Sequence, residues 1–218
     1  MKKHVFAVAA GLHYLGIKQG STLCSFLPVG AEQVSLGLAS AIQGYNLVAV
    51  NSQITDCELP NLLTKINAEA LFTTPQDLEV VYQKLTGLST PMKGSEIGEL
   101  LHLKSVSQLK YVIHTGHAVA RNTLRFRDCL VYFNEEGLQT EISPNSTVLS
   151  VVDASGNVKQ SYTQELLLTQ SGSVAGTLGI DTDQVTDFNE ELSSGNPNAV
   201  LGTLACLQKL GKLVINNK

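Results

Sequence analysis

Gly11-Leu12-His13-Tyr14-Leu15-Gly16-Ile17-Lys18-Gln19-Gly20 opens the stretch that decides the fold, and Thr22-Leu23-Cys24-Ser25-Phe26-Leu27-Pro28 continues it. A small-residue run at 37–44 follows, then Leu47-Val48-Ala49-Val50-Asn51 and, further on, Glu69-Ala70-Leu71-Phe72-Thr73-Thr74-Pro75. Residues 22–28, 47–51 and 69–73 are short apolar runs of strand length. Between the first two, residues 31–43 place Val34, Leu38, Ala41 and Ile42 on one helical stripe that stops at Gly44. Between the second and third, Thr55-Asp56-Cys57-Glu58 has the spacing of a capping box, so a helix is expected to start there, although Pro60 lies deep for a first-turn proline. Strand–helix alternation with connections of this length predicts a parallel sheet sandwiched by helices.

Outward from this stretch, residues 4–15 read as a helix capped by Gly16. The opening Met1-Lys2-Lys3-His4 and the apolar run behind it have the outline of a secretory signal, but the run is short and passes straight into that helix. Residues 75–107 read mainly as helix with a break at 87–94, residues 109–114 as strand, and residues 126–130 as a core-facing helix. A polar connector covers 134–145, a β-rich segment 147–152, and a helix 163–177.

Composition sets the outer limits. The chain has 218 residues, 43% hydrophobic and only 16% charged, which is enough for a substantial core and leaves a weakly charged surface of the kind that gets covered. A net charge of −4 gives no basic excess for nucleic-acid phosphates. No apolar run approaches the length of a membrane span. Cys24, Cys57, Cys129 and Cys206 lack zinc or redox spacing and read as reduced, buried thiols of an intracellular protein.

The order of elements and several motifs resemble the AMP-forming acyl-CoA synthetases and other adenylate-forming ligases. Residues 11–28 resemble that family's "GV-x-x-GD-x-V-x-x-x-LPN", residues 47–55 its "A-V-x-V-x-LNP-x-x-T", and residues 69–73 its "A-K-x-L-x-T". Residues 109–131 resemble its "L-x-x-V-I-x-x-G … F-x-D-L-L". The resemblance implies an α/β fold, the N-terminal part of an adenylate-forming enzyme. Its mostly parallel sheet would be flanked by helices, with a β-rich hairpin segment near 147–163. It further implies a single truncated domain over 1–218, in which 163–218 supplies helix, helix and strand.

In that family a glycine- and hydroxyl-rich loop after the β-rich segment holds the ATP phosphates, by close backbone approach and one lysine. Here the position holds Val152-Asp153-Ala154-Ser155-Gly156-Asn157-Val158-Lys159-Gln160-Ser161-Tyr162-Thr163. Ser155, Gly156 and Lys159 are the candidate phosphate-loop residues, with Lys159 matching the family lysine. One glycine stands where the family has three, the hydroxyl-rich start has become Val152-Asp153-Ala154, and Asp153 adds a negative charge. The same residues also suit a plain hairpin turn. Residues 190–196 lack the aromatic–histidine gate that the family carries ahead of its next helix.

The resemblance therefore implies a non-catalytic accessory or structural subunit, mitochondrial or cytoplasmic, with no cofactor of its own. ATP or CoA would bind only where the family's activity survives. Its expected partners are other protein subunits, covering faces left by the missing half of the fold. A split ATP-dependent acyl-CoA ligase, or a small CoA-, nucleotide- or acyl-binding module, is the alternative. Two further clusters read as surface features: His114 and His117 as a polar loop pair without an acidic partner, and Arg121, Arg125 and Arg127 as a solvated basic face.

Overall fold

The computed structural model describes residues 2–28, 30–87, 103, 105–120, 122–131, 141–177, 185–188, 201–202, 205 and 212–215. The first helix, α1 (Lys2–Tyr14), buries Val5, Val8, Ala9 and Leu12, the i, i+3, i+4, i+7 stripe of an amphipathic helix. It ends where Gly16 turns the chain at φ 77°. Strand β1 (Thr22–Ser25), helix α2 (Ala31–Gln43) and strand β2 (Asn46–Val50) follow. At the end of α2, Gly44 adopts the left-handed conformation and its amide donates to the Ser40 carbonyl, as the sequence predicted.

The expected helix after Thr55 starts later. Residues Ile54–Asp56 make one 3-10 turn, and α3 (Leu59–Lys65) begins beyond it with Pro60 in its first turn. Proline has no N–H to donate, so the first turn is the place in a helix that suits it, and that constraint outweighs the capping-box spacing. Instead of capping the helix, the Thr55 hydroxyl donates to the Asp56 carboxylate at 3.2 Å. Strand β3 (Ala68–Thr73), helix α4 (Leu78–Thr86) and strand β4 (Tyr111–His114) then lead to the two-residue strand β5 (Leu124–Arg125). Residues Phe126–Cys129 face the core as predicted, but as a 3-10 turn.

Strand β6 (Thr147–Val152) and strand β7 (Val158–Thr163) form an antiparallel hairpin that runs into α5 (Gln164–Thr177). The seven strands lie in the order β5-β4-β3-β1-β2-β6-β7, parallel throughout except at β7. Alternation along each strand divides the core between two faces. Leu23, Leu47, Phe72 and Ile113 pack with α1 and α2, whereas Cys24, Val48, Leu71 and Val112 pack with α3 and α4. The result is a helix–sheet–helix sandwich.

In the tail, Val185–Phe188 (β8) pairs in parallel with Lys212–Ile215 (β9). The resemblance implied helix, helix and strand over 163–218, whereas the structure has two strands there, Val185–Phe188 and Lys212–Ile215. The polar connector at 134–145 falls largely outside the described residues, as do the break beyond residue 87 and the segment 190–196.

Candidate functional site

The β6–β7 turn brings Ser155, Gly156 and Lys159 together around Asp153. One carboxylate oxygen of Asp153, Oδ1, accepts the backbone amides of Ser155 (3.0 Å) and Asn157 (2.9 Å). The other, Oδ2, accepts the Asn157 side-chain amide (3.1 Å) and pairs with Lys159 Nζ at 3.0 Å. The Gly156 amide donates to the Asp153 carbonyl at 2.9 Å, with Gly156 at φ 73°. Aspartate bonding the amides that follow it is the expected Asx-turn behaviour. These contacts hold the Asp153 carboxyl far below the usual carboxylate range, through the bonds from Asn157 first and then Lys159.

The turn is also sealed from below. Lys65, at the end of α3, donates from Nζ to the Ser155 carbonyl (3.0 Å) and to Asn157 Oδ1 (2.7 Å). A Cβ at Gly156 would stand 3.0 Å from Leu62 Cδ1 and 3.3 Å from Lys65 Cδ, so the glycine is where the turn lies on the helix. Lys65 carries no mark of this role in the sequence, because its partner lies about ninety positions away.

Chemically, the turn has the donors of an anion cradle, two backbone amides aimed at one oxygen plus a lysine ammonium. The anion in the cradle is the chain's own Asp153. Lys159 keeps 61% of its side-chain surface exposed, yet its ammonium is already paired.

The remaining candidates lie apart from this turn. His114 is a buried strand residue, not part of a polar loop, because its register opposite Thr73 carries it into the sheet. Its Nδ1 accepts the Gly116 amide at 3.1 Å, and burial, followed by the nearby Arg125 charge, lowers its pKa. His117 is exposed. Among the described residues no group of three or more His, Cys, Asp or Glu side chains is placed to hold a metal ion. Of the arginine cluster, Arg121 lies outside the described residues, and Arg125 is in a strand. It sits in β5 and grips Asp128 with two bonds of 2.7 Å, closing the 3-10 turn. Cys24, Cys57 and Cys129 are free and buried.

Sheet order, the single antiparallel edge strand and the position of the β6–β7 turn can be set beside solved structures. Coronafacic acid ligase from Pectobacterium brasiliense superposes with a TM-score of 0.74 at 15% identity, over 98% of this chain. The N-terminal domain of FACL13 from Mycobacterium tuberculosis gives 0.75 at 14% identity, over 99%. A fatty acyl CoA synthetase from Mycobacterium tuberculosis gives 0.73 at 14%, also over 99%. The fold is that of the N-terminal domain of the AMP-forming acyl-CoA ligases. This chain spans 39%, 49% and 38% of those three chains. No family model matches the sequence, and no curated protein matches it. The residues that the sequence reading compared with the family's phosphate loop, Ser155, Gly156 and Lys159, lie in and just after the β6–β7 turn. No helix among the described residues is long and apolar enough to cross a membrane.

Proposed function

We propose that this chain is a non-catalytic member of the acyl-CoA ligase fold, acting as a structural or accessory subunit of a larger protein assembly. On this reading residues 1–218 act as one domain, and Ser155, Gly156 and Lys159 are a vestigial phosphate loop. One observation carries the reading: Asp153 fills the amide cradle of the β6–β7 turn and neutralises Lys159. A triphosphate entering there would have to displace a carboxylate whose hydrogen bonds are already made, and would meet its negative charge at contact distance. The partner half of the proposal draws support from the sheet edge. Among the described residues, strand β7 has no neighbouring strand on its outer side, and Val158 on β7 and Leu166 on α5 are exposed.

The test has two arms. ATP–pyrophosphate exchange across a panel of carboxylic acids is expected to show no signal with the purified chain. An exchange signal that disappears in Lys159→Ala would refute the pseudoenzyme reading and assign the chain to a split ATP-dependent ligase. Native mass measurement on mitochondrial and cytosolic fractions from the source is expected to find the chain in a complex larger than itself. A monomer free of bound protein in both fractions would refute the subunit reading.

A further inference from the structure

His114 ends β4 with only 1% of its surface exposed. Its Nδ1 accepts the Gly116 amide at 3.1 Å. A ring nitrogen that accepts an N–H carries no proton, so this contact selects the neutral imidazole with its proton on Nε2. Nε2 is itself buried and has no hydrogen-bond partner among the described residues. The site therefore offers no acceptor, among the described residues, to either nitrogen of a charged ring.

The other end of the contact is equally constrained. A Cβ at Gly116 would stand 3.0 Å from His114 Nδ1 and 2.7 Å from Pro75 Cβ, so the backbone passes between ring and proline at a distance that suits only glycine. Two further bonds tie down the same turn. The Thr115 amide donates to the Thr73 carbonyl at 3.3 Å, and Arg125 Nη1 donates to the His117 carbonyl at 3.2 Å. The charges facing the ring come from its neighbours. Arg125, its register partner on β5, opposes a second positive charge. Asp128, in the Phe126–Cys129 turn, favours one but is gripped by Arg125. Asp77, in the Pro75–Asp77 turn, accepts the Thr74 hydroxyl at 2.7 Å, and His117 is exposed.

We infer that His114 is a proton-operated latch, which holds the 114–117 turn against the end of the sheet when neutral and releases it when protonated. A proton on Nδ1 turns an acceptor into a donor facing an N–H, which breaks the contact with Gly116. The charged ring then has to reach water, and the turn packed over it must give way. The sign follows from linkage. In the closed turn burial, then Arg125, holds the ring's pKa below its ordinary value, and opening restores that value. Opening therefore becomes more favourable as the pH falls below about 6.5, and levels off below the closed-state value.

Nuclear magnetic resonance on the ¹⁵N-labelled full chain tests the latch. At about pH 8 the His114 ring is expected to carry its proton on Nε2, and a proton on Nδ1 would overturn the proposal. Between about pH 7.5 and pH 5, protection of the Gly116 amide, corrected for the intrinsic pH dependence of exchange, should fall severalfold. An opened ring of ordinary pKa sets a ceiling of about thirtyfold. The amides of Val48 and Leu71, in central strands, should keep their protection. The fall should track the titration of His114 and not that of His117. His114→Asn, whose Oδ1 accepts the same amide without titrating, should abolish the pH dependence. If that variant does not fold, agreement between the two midpoints in the unaltered chain decides the matter. Constant protection at Gly116, an equal loss at Val48 and Leu71, or a pH dependence that survives in His114→Asn would each overturn the latch.

Discussion

Gly11 is the residue at which α1 touches the backbone of the Phe126–Cys129 turn, and replacing it with alanine gives a sharp test of the packing. A Cβ there would stand 1.8 Å from the Cys129 carbonyl oxygen and 2.7 Å from its carbon. Both obstacles are backbone, so no side-chain rotation relieves them. To reach ordinary contact the two elements must part by roughly 1.5 Å, and gaps of that size forfeit much of the dispersion between the packed groups. Overpacking of a close-fitted core costs about 1–3 kcal/mol, and a backbone obstacle belongs at the upper end. Against it, alanine in place of glycine in a helix gains about 1 kcal/mol. The net expectation is a loss of about 2 kcal/mol.

Gly176, in α5, supplies the control. A Cβ there would meet nothing within 4 Å, so Gly176→Ala keeps the helix gain of about 1 kcal/mol without the clash. The same substitution in two helices should thus move stability in opposite directions. With a urea slope of about 2 kcal/mol/M, the midpoint should fall by about 1 M for Gly11→Ala and rise by about 0.5 M for Gly176→Ala. Circular dichroism against urea measures both. An unchanged or raised midpoint for Gly11→Ala at constant slope would refute the close approach of α1 to the Cys129 carbonyl.

Three other perturbations probe the core, the thiols and the turn. Phe72, 1% exposed on β3 and edge-on to Phe126 with ring centroids 6.3 Å apart, should cost about 3–5 kcal/mol when cut to alanine. A urea midpoint shift worth less than half of that would mean the site collapses or is not core. Burial raises the pKa of Cys24, and that of Cys129 to about 12, so both thiols should resist iodoacetamide at about pH 8 in the native chain and react in urea. Peptide mapping that finds either one alkylated under native conditions sinks this expectation. Because the folded-state pKa of Asp153 is depressed, its charge stabilises the fold above the unfolded value of about 3.9, and that contribution fades as the pH drops through the folded value. The stability gap between the native sequence and Asp153→Asn should therefore be widest near neutrality and narrow below about pH 4. A gap independent of pH would mean that the carboxylate charge is not what organises the turn.

Much of the fold was legible because the decisive signals were local. Short apolar runs predicted the central strands to within a few residues, and Gly44 marked the end of α2 at the residue where the chain turns left-handed. The misreadings fall where one local signal was weighed without its competitor. Thr55-x-x-Glu58 has the letters of a capping box, but Pro60 pulls the helix start to Leu59. Residues 126–130 have a helical pattern, but the Arg125–Asp128 pair closes them into a tighter turn. His114 looks polar as a letter, and only the parallel register with β3 shows it to be interior. The composition of the candidate site was legible, including the misplaced charge of Asp153. Its closure by Lys65 was not, because nothing local links a helix end to a turn so far along the chain.

That closure bears on what the turn can still do. A backbone amide donates one strong hydrogen bond, so the amides of Ser155 and Asn157 serve either an incoming phosphate or Asp153. The internal carboxylate has the advantage of attachment, since it reaches the amides without the loss of translational freedom that a separate ligand suffers. Lys159 strengthens that advantage by neutralising the same carboxylate, and Lys65 by holding the outer side of the turn. Building a phosphate site into this turn would therefore take more than one substitution. Removing Asp153 frees the donors but leaves a turn with one glycine, pressed against Leu62 and Lys65, with little room for its backbone to wrap around a phosphate. The sheet keeps the adenylate-forming fold, and in the β6–β7 turn the amides of Ser155 and Asn157 and the Lys159 ammonium are all engaged by Asp153.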